Sequence, residues 1–287
     1  MKKSLSRLLD LSSIRDYKRP YTFGFAMLLI SNVALAFTVF PLDSTHSEKW
    51  GSNANGTPGG AVTWGLIPVG TAGDPFCGPA CPGVSQGSLN IENSPNGGYT
   101  LTPFASLVSH ISAAFAKWSA VANIQFVGPT VDSGLAINNP AAISPDIRIG
   151  VFAFSSGGGA VGFAPPPNGG TGAGDILFDA NSFYAFQPGN EGDLFPAAST
   201  APNDFESLLL HEMGHALGLA HPFPNDGSCP VMQVGAACNG HISRVLKADD
   251  IQGAQFLYGA PVPAPAAVWL LASALAGVLS LTRIRTT

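Results

Sequence analysis

Apolar residues recur with helical spacing most clearly between about residues 102 and 121, in "TPFASLVSHISAAFAKWSAV". This spacing predicts a helix with one buried face. Thr102 is expected to cap the helix and Pro103 to occupy its first turn. His110 lies beside the apolar stripe and is expected at the surface rather than as a metal ligand. The buried face is predicted to contain Phe104, Leu107, Val108, Ile111, Phe115 and Trp118.

Short apolar runs between Gly- and Pro-rich stretches predict β-strands. In "DIRIGVFAF", three β-branched residues alternate with Arg148 and Gly150. The stretch that ends near residue 100 is rich in Gly, Pro and Cys, and it is predicted to be a loop held by a disulfide. The predicted strands are "GAVTWGLIPV", "IQFVG", "DIRIGVFAF" and the shorter "AVGFA" and "DILFD".

Two more helical stretches lie in the C-terminal third of the chain. The first is "DFESLLLHEMGHALG", for which Asp204 or Asn203 is a suitable N-cap. The second is "KADDIQGAQFLYG", whose early aspartates suit the helix dipole. Gly259 is expected to end this last helix.

Charged residues make up only 11% of the 287 residues, whereas Gly and Pro number 34 and 24. Much turn and irregular structure is therefore expected around a modest core. Residues 37–261 carry five basic and sixteen acidic side chains, a formal charge of −11. Such an acidic surface argues against nucleic acid as a partner, because phosphate contacts need clustered Lys and Arg.

The first 36 residues have the order of a signal peptide. A basic stretch ends in "DYKRP", the apolar run "YTFGFAMLLISNVALAF" follows, and "ALA" at 34–36 offers small residues for cleavage. Export with cleavage after Ala36 is expected. An uncleaved N-terminal transmembrane anchor is the alternative.

The C-terminal segment "VPAPAAVWLLASALAGVLSLTRIRTT" contains an apolar stretch, 266–281, about as long as one short membrane crossing. Its order of short motif, apolar helix and basic tail resembles the PEP-CTERM sorting signal of exosortase-bearing Gram-negative bacteria. The motif here, Val262-Pro263-Ala264-Pro265, lacks the central Glu. The resemblance implies transient anchorage in the inner membrane, recognition by exosortase-type machinery, cleavage near Pro265 and release to the cell surface. A permanent C-terminal anchor is the alternative.

Four cysteines fit an oxidising compartment. Cys77 and Cys81 are four residues apart and Cys229 and Cys238 nine apart, so two local disulfides are the simplest of three connectivities. A zinc site held by all four thiolates is disfavoured, because neither pair has the usual two-residue spacing of ligands.

The main cluster of side chains that can bind metal or transfer protons lies in "HEMGHALGLAH", residues 211–221. On a helix, His211 and His215 share a face one turn apart and can bind one tetrahedral zinc ion. Glu212 points away from His211 and can act as general base toward a water that the zinc activates. Gly218 permits a left-handed turn that brings His221 back as third ligand. A buried helix with incidental histidines is the alternative, but this combination arises by chance in roughly one sequence in 10⁵ of this length.

The motif His211-Glu212-x-x-His215-x-x-Gly218-x-x-His221 with a downstream methionine resembles the metzincin metalloproteases, and among them the matrixins. The similarity runs from about Trp64 to Gly259 and includes "AFAKWSAVANIQF", "PDIRIGVF", "GDILFD" and "LKADDIQGAQFLYG". It implies an α+β fold with a twisted mixed sheet of about five strands, three main helices and two lobes divided by the active-site cleft. By the same resemblance, Met232 is the Met-turn residue beneath the zinc ligands.

The chain departs from the matrixin pattern at several positions. A structural zinc in this family uses histidines where Val161 and Leu177 stand, so a single catalytic zinc is expected. Asp179 stands where matrixins have a calcium ligand, but Ser182 occupies the position of the acidic partner. A calcium ion at Asp179 is therefore allowed but not required by the resemblance. Pro222 follows the third histidine, instead of the acidic residue of other metzincin branches.

The expected organisation is a signal peptide (1–36), an N-terminal extension (37–60), a matrixin-like domain (61–260) and a sorting signal (261–287). The expected function is that of an exported zinc endopeptidase that binds an extended polypeptide. Two alternatives belong to other classes: a catalytically silent surface or matrix adhesion protein, and a zinc amidase that acts on a non-protein amide. The intact Glu212 counts against the adhesion protein, which has no use for a general base.

Overall fold

The described part of the chain forms three helices and eleven short strands. The structure is a computed structural model, and it describes residues 37–73, 81–94, 98–167, 170–222, 229–233 and 238–262. The helices are α1 (Val108–Val121), α2 (Phe205–Ala216) and α3 (Ala248–Tyr258). The strands are β1 (Thr38–Val39), β2 (Gly60–Leu66), β3 (Ser88–Ser94), β4 (Gly98–Pro103), β5 (Ile124–Val127), β6 (Ile147–Phe152), β7 (Ala160–Gly162), β8 (Ile176–Asp179), β9 (Phe183–Ala185), β10 (Asn203–Asp204) and β11 (Leu219–Ala220).

A five-stranded mixed sheet has the order β5-β2-β6-β8-β7, and this confirms the predicted α+β fold. The first four strands are parallel, and β7 pairs antiparallel with β8 at one edge. Parallel strands are usually covered on both faces. Accordingly β6 is buried at every position, including Arg148, whose guanidinium pairs with the buried Asp132.

A second, four-stranded sheet has the order β10-β9-β3-β4, and the prediction of a loop up to about residue 100 is wrong here. Strands β3 and β4 form an antiparallel hairpin in this stretch. Their sequences carry few apolar residues, so the strand signal was weak. Thr102 lies in β4 and does not cap a helix. Instead a 3₁₀ turn at Phe104–Leu107 leads into α1, with Pro103 before it and no side-chain cap.

The buried face of α1 packs on α2 and fixes its position. Ile111, Phe115 and Trp118 are buried, as predicted, and each buried side chain of this size contributes about 1.5–3 kcal/mol. Trp118 also donates its indole N–H to the carbonyl of Leu210 in α2 at 3.2 Å. Val108 is only partly buried.

The segment 37–60, expected as an extension, packs into the same unit as the rest of the fold. Trp50 is buried and donates its indole N–H to the carbonyl of Ala216, at the end of α2, at 2.8 Å. Lys49 is also buried, and its ammonium lies 4.9 Å from the ring centre of Tyr258 in α3. These contacts connect the segment to the ends of two helices.

The two apolar segments predicted to meet a membrane lie outside the described residues, as do the signal peptide and most of the sorting motif. Within the described ranges, no helix combines the length and the apolar character that a membrane crossing requires.

Candidate metal and active site

Helix α2 places two histidines of the motif on one face. The helix begins after Asp204, whose side chain accepts the N–H of Ser207 at 3.0 Å, as predicted for an N-cap. It ends at Ala216 with Leu217 as C-cap, and Gly218 follows with φ of +100°. A Cβ atom at Gly218 would lie 2.2 Å from the carbonyl oxygen of Glu48, so both the backbone angle and the close approach require glycine.

The turn at Gly218 brings His221 to the two helical histidines. Its Nε2 lies 3.2 Å from Nε2 of His211 and 3.0 Å from Nε2 of His215. The three ligand atoms all lie within 4.8 Å of one another. In the described part of the chain, no other group of three or more His, Cys, Asp or Glu side chains converges in this way.

Backbone carbonyls fix the orientation of two of the rings. Nδ1 of His211 donates to the carbonyl of Val231 at 2.7 Å, and Nδ1 of His215 donates to that of Leu219 at 2.8 Å. A carbonyl accepts only, so each Nδ1 carries the proton and each Nε2 keeps its lone pair. Histidines that bind metals are commonly oriented in this way.

Burial keeps these imidazoles neutral. It lowers the pKa of His211 to about 3 and that of His215 to about 4. Burial lowers the pKa of His221 as well. Three neutral imidazoles whose Nε2 atoms converge form the donor set that Zn²⁺ prefers, and the residues therefore fit a catalytic zinc site with one open position.

Glu212 lies beside the triad and is almost completely buried. Its Oε2 accepts the N–H of Gly162, in the edge strand β7, at 2.6 Å. Burial raises the pKa of Glu212 to about 7, although the Gly162 hydrogen bond opposes the shift. A carboxylate with a pKa near neutrality suits general base catalysis.

Met232 packs beneath α2, where the matrixin resemblance placed the Met-turn. Its side chain is buried, and a Cβ atom at Gly214 would lie 2.1 Å from its Sδ. Gly214 therefore allows the close approach between this methionine and the helix that carries the histidines. The sequence pattern alone indicates no role for Gly214.

Asp250 was also missed as part of the site. It is buried in the first turn of α3 and accepts the N–H groups of Val231 and Met232 at 2.9 and 3.0 Å. Its own helix donates a third hydrogen bond, from the N–H of Lys247 at 2.8 Å. In the sequence it was interpreted only as an acidic residue that suits the helix dipole. Asp250 follows Met232 by 18 positions, and no local pattern in the sequence connects the two residues.

A cleft of about 740 Å³ contains the triad and Glu212. The edge strand β7 lines this cleft, and further lining residues are Val231, Gln233, Cys238, Asn239, Gly240, His241 and Ser243. Thr38 and Phe40, from the N-terminal segment, also line it. The edge strand of a sheet beside a cleft is a common binding site for extended peptides.

The predicted disulfide between Cys229 and Cys238 is confirmed, with Cα atoms 5.4 Å apart. Cys81 is disulfide-bonded too, and its expected partner Cys77 lies outside the described residues. The bridge rules out a zinc site made of all four thiolates. It also braces the cleft wall, because Cys238 is one of the lining residues.

The remaining sequence candidates lie away from the triad. Asp179 is buried at the end of β8, and its Oδ1 accepts the N–H groups of Phe154 and Asn181 at 3.0 and 2.9 Å. Nδ1 of His110 hydrogen-bonds to Oε1 of Glu206 at 2.8 Å on the partly exposed flank of α2.

Comparison with known proteins identifies the family. The sequence profile of matrixin (peptidase M10) matches residues 99–259, more than half of the 287-residue chain. The chain belongs to the matrixin family. The match covers the histidine motif, Met232 and α3, and it confirms the resemblance to the matrixins.

Several plant proteins are similar to this matrixin. Metalloendoproteinase 2-MMP of Arabidopsis thaliana is 30% identical over 163 residues, which are 53% of this chain and 37% of that protein. Metalloendoproteinase 1 of Glycine max is 33% identical over 113 residues, or 39% of this chain and 34% of that protein. Metalloendoproteinase 5-MMP of Arabidopsis thaliana is 27% identical over 174 residues, or 56% and 43%. The chain thus spans between about a third and somewhat over two fifths of these relatives.

Proposed function

We propose that this matrixin is an exported zinc metalloendopeptidase. The observation that carries the proposal is the geometry of His211 and His215, whose Nδ1 atoms are tethered to carbonyls while their Nε2 lone pairs face Nε2 of His221. The three rings are the proposed zinc ligands. The names of the plant relatives, all metalloendoproteinases, support the same activity.

His211, His215 and His221 would hold a zinc ion, which would supply Lewis-acid chemistry by polarising a substrate carbonyl and acidifying the attacking water. Glu212 is the proposed general base. Gly162 fixes one of its oxygens, and the carboxylate accepts a proton from the attacking water. The water oxygen forms a bond to the carbonyl carbon, the C–N bond breaks, and Glu212 passes the proton to the departing amine.

The proposed substrate is a polypeptide in extended conformation. Strand β7, at the edge of the five-stranded sheet, lines the cleft, and a volume of about 740 Å³ leaves room for side chains beside the metal ligands. Hydrogen bonds to the peptide backbone hold a substrate without regard to its sequence, while the wall around Gln233 and Ser243 selects side chains.

Zinc content and peptide cleavage together test the proposed function. We would measure zinc per chain in the purified exported protein, and then the cleavage of an unbiased peptide library with and without a chelator. Glu212→Gln should keep the zinc and abolish turnover. Glu206→Gln is the matched control, because it removes a carboxylate from the same helix on the flank that faces His110, and it should keep turnover.

Other outcomes decide against the proposal in different ways. A folded protein without zinc would contradict the metal site. One zinc per chain without cleavage of any peptide would favour the silent adhesion protein, or an amidase that acts on a non-protein amide such as a peptidoglycan cross-link. Analysis of products from isolated cell-wall material separates these two.

The cellular route is part of the proposal. We propose cleavage after Ala36, because residues 1–36 have the order of a signal peptide. The resemblance of the C-terminal segment to a PEP-CTERM signal supports recognition by exosortase-type machinery, transient anchorage in the inner membrane and release at the surface of a Gram-negative cell. N-terminal sequencing and C-terminal mass spectrometry of the surface protein test the two cleavages. A mature chain that retains residues 1–36 or 266–287 would contradict them.

A calcium ion near Asp179 stays a prediction. The Gly-rich segment before β8 can donate carbonyl groups, and one carboxylate oxygen of Asp179 already accepts two backbone N–H groups. Added calcium should raise the unfolding temperature of the wild-type protein and not that of Asp179→Asn. An equal response of both proteins would place any calcium elsewhere.

A further inference from the structure

The third metal ligand depends on a very short strand. His221 does not lie on α2 but follows β11, which has only two residues and begins directly after Gly218. A strand of this length has little intrinsic stability and adopts its conformation through its partner. In the described part of the chain that partner is β1, from the N-terminal segment.

The pairing of β1 with β11 is specific. The strands are antiparallel, with Thr38 opposite Ala220 and Val39 opposite Leu219. The N–H of Phe40 continues the ladder to the carbonyl of Gly218 at 2.9 Å. Hydrogen-bonded pairs alternate along an antiparallel ladder, so Thr38, two residues before Phe40, occupies the hydrogen-bonded position opposite Ala220.

The same strand acts on a second ligand. Leu219, which β1 holds in register, provides the carbonyl that accepts Nδ1 of His215. The ring of Phe40 packs on the ring of His215, with centroids 5.8 Å apart. Displacement of β1 would therefore disturb the tether of one imidazole and the placement of another.

We propose that β1, with Phe40, is a positioning element of the metal site, which holds His221 through β11 and His215 through the carbonyl of Leu219. The inference rests on the proposed zinc site. It extends the functional domain to the N-terminal side of β2, where the sequence had suggested an extension that precedes the domain.

The position of β1 links the site to processing of the chain. Phe37, the residue before β1, packs on Phe256 of α3 with ring centroids 5.3 Å apart, so α3 anchors the start of the strand. Cleavage after Ala36 leaves β1 intact. Cleavage a few residues later removes it, and such a product would retain the complete motif in its sequence while its metal site is weakened.

Two substitutions at one position in the full chain test the proposal. Thr38→Pro removes the backbone N–H that faces β11, whereas Thr38→Val keeps it together with the β-branched shape. The zinc dissociation constant, measured by competition with a chromophoric chelator, should rise about 10–100-fold for Thr38→Pro, the range typical for lost outer-sphere partners of metal ligands. It should remain close to wild type for Thr38→Val.

A second pair of variants covers the case in which Thr38→Pro does not fold. Phe40→Ala removes the ring that packs on His215, and Phe40→Leu restores apolar volume, so the zinc dissociation constant should rise for the first and largely recover for the second. NMR of the zinc-free proteins gives an independent result, because the Nδ1–H signal of His215 should exchange faster with solvent in the weakened variants.

Equal zinc affinity and an unchanged Nδ1–H signal in folded Thr38→Pro, or in Phe40→Ala if Thr38→Pro is unfolded, would overturn the inference. Peptide cleavage by the wild-type protein would still support the proposed function in that case. Failure of the wild-type protein to bind zinc would instead contradict the proposed function itself.

Discussion

The carboxylate of Asp250 accepts the N–H of Val231 at 2.9 Å, and the carbonyl of the same Val231 accepts Nδ1 of His211 at 2.7 Å. A residue of the last helix thus orients a proposed zinc ligand through one peptide segment. His215 has a corresponding tether through Leu219. The tether of His211 therefore depends on α3, whereas the tether of His215 depends on β11, which pairs with β1.

We expect Asp250→Asn to weaken zinc binding about 10–100-fold, because the segment that tethers His211 loses a charged acceptor. The free energy of unfolding should fall by roughly 1.5–3 kcal/mol for each charge-assisted hydrogen bond lost. Zinc competition and urea denaturation of the same samples measure the two effects. Asp43→Asn is a useful control, since Asp43 also accepts two backbone N–H groups but is exposed and distant in sequence. A similar loss of zinc affinity in both variants would contradict the role of Asp250.

Gly214→Ala should destabilise the protein although alanine favours helices. The added Cβ would lie 2.1 Å from Sδ of Met232 and 3.2 Å from the ring of Trp118, and overpacking of this kind costs about 1–3 kcal/mol or more. The gain in helix propensity is only about 1 kcal/mol. In a Met232→Ala background the same change should become close to neutral, because the clash with Sδ is gone and only the approach to Trp118 at 3.2 Å remains. Equal effects in both backgrounds, measured by denaturant titration, would show that the contact does not decide the result.

Asp175 should make stability depend on pH. Burial raises its pKa from 3.8 to about 8, the charge of Asp132 adds to the shift, and Arg148 opposes it. Between pH 3.8 and about 8, the Asp175 carboxyl group is therefore protonated in the native state but ionised in the unfolded chain. The resulting stabilisation is complete below about pH 4 and is lost as the pH rises through about 8.

In wild type, Oδ1 of Asp175 accepts the backbone N–H of Arg148 at 3.0 Å. Asp175→Asn keeps an oxygen that can accept this hydrogen bond but replaces the titrating carboxyl group with a neutral amide. As the pH rises from 5 to 9, the unfolding free energy of wild type should fall relative to that of the variant. Urea titrations with a chelator present remove any contribution of metal binding. A difference that stays constant over this range would contradict the shifted pKa.

Removal of the bridge between Cys229 and Cys238 should loosen the cleft wall. The double variant Cys229→Ser, Cys238→Ser is expected to lose about 2–3 kcal/mol, the loop-closure contribution for a bridge of nine residues' separation. If the protein is the proposed endopeptidase, its selectivity for the side chain that enters beside the metal should broaden, since Cys238 lines the cleft. Profiling with a peptide library measures selectivity. Lower stability with an unchanged profile would limit the bridge to a structural role.

The sequence by itself determined the family, the histidine triad, the neighbouring glutamate and most elements of the central sheet. These features are local: the four-residue spacing on one helix face, the glycine at a left-handed turn and short apolar runs each act over a few residues. The cap at Asp204 and the end of α3 at Gly259 were predictable for the same reason.

Only the tertiary structure decided which distant residues support the triad. Asp250 and Phe40 are separated from the motif by roughly 30 and 170 positions, and nothing in their local sequence distinguishes them from surface or core residues. The hairpin of β3 and β4 was missed for a related reason, because its polar strands are stabilised by pairing rather than by an apolar pattern. Hydrogen bonds between remote backbone segments depend on chain packing, and no local periodicity encodes them.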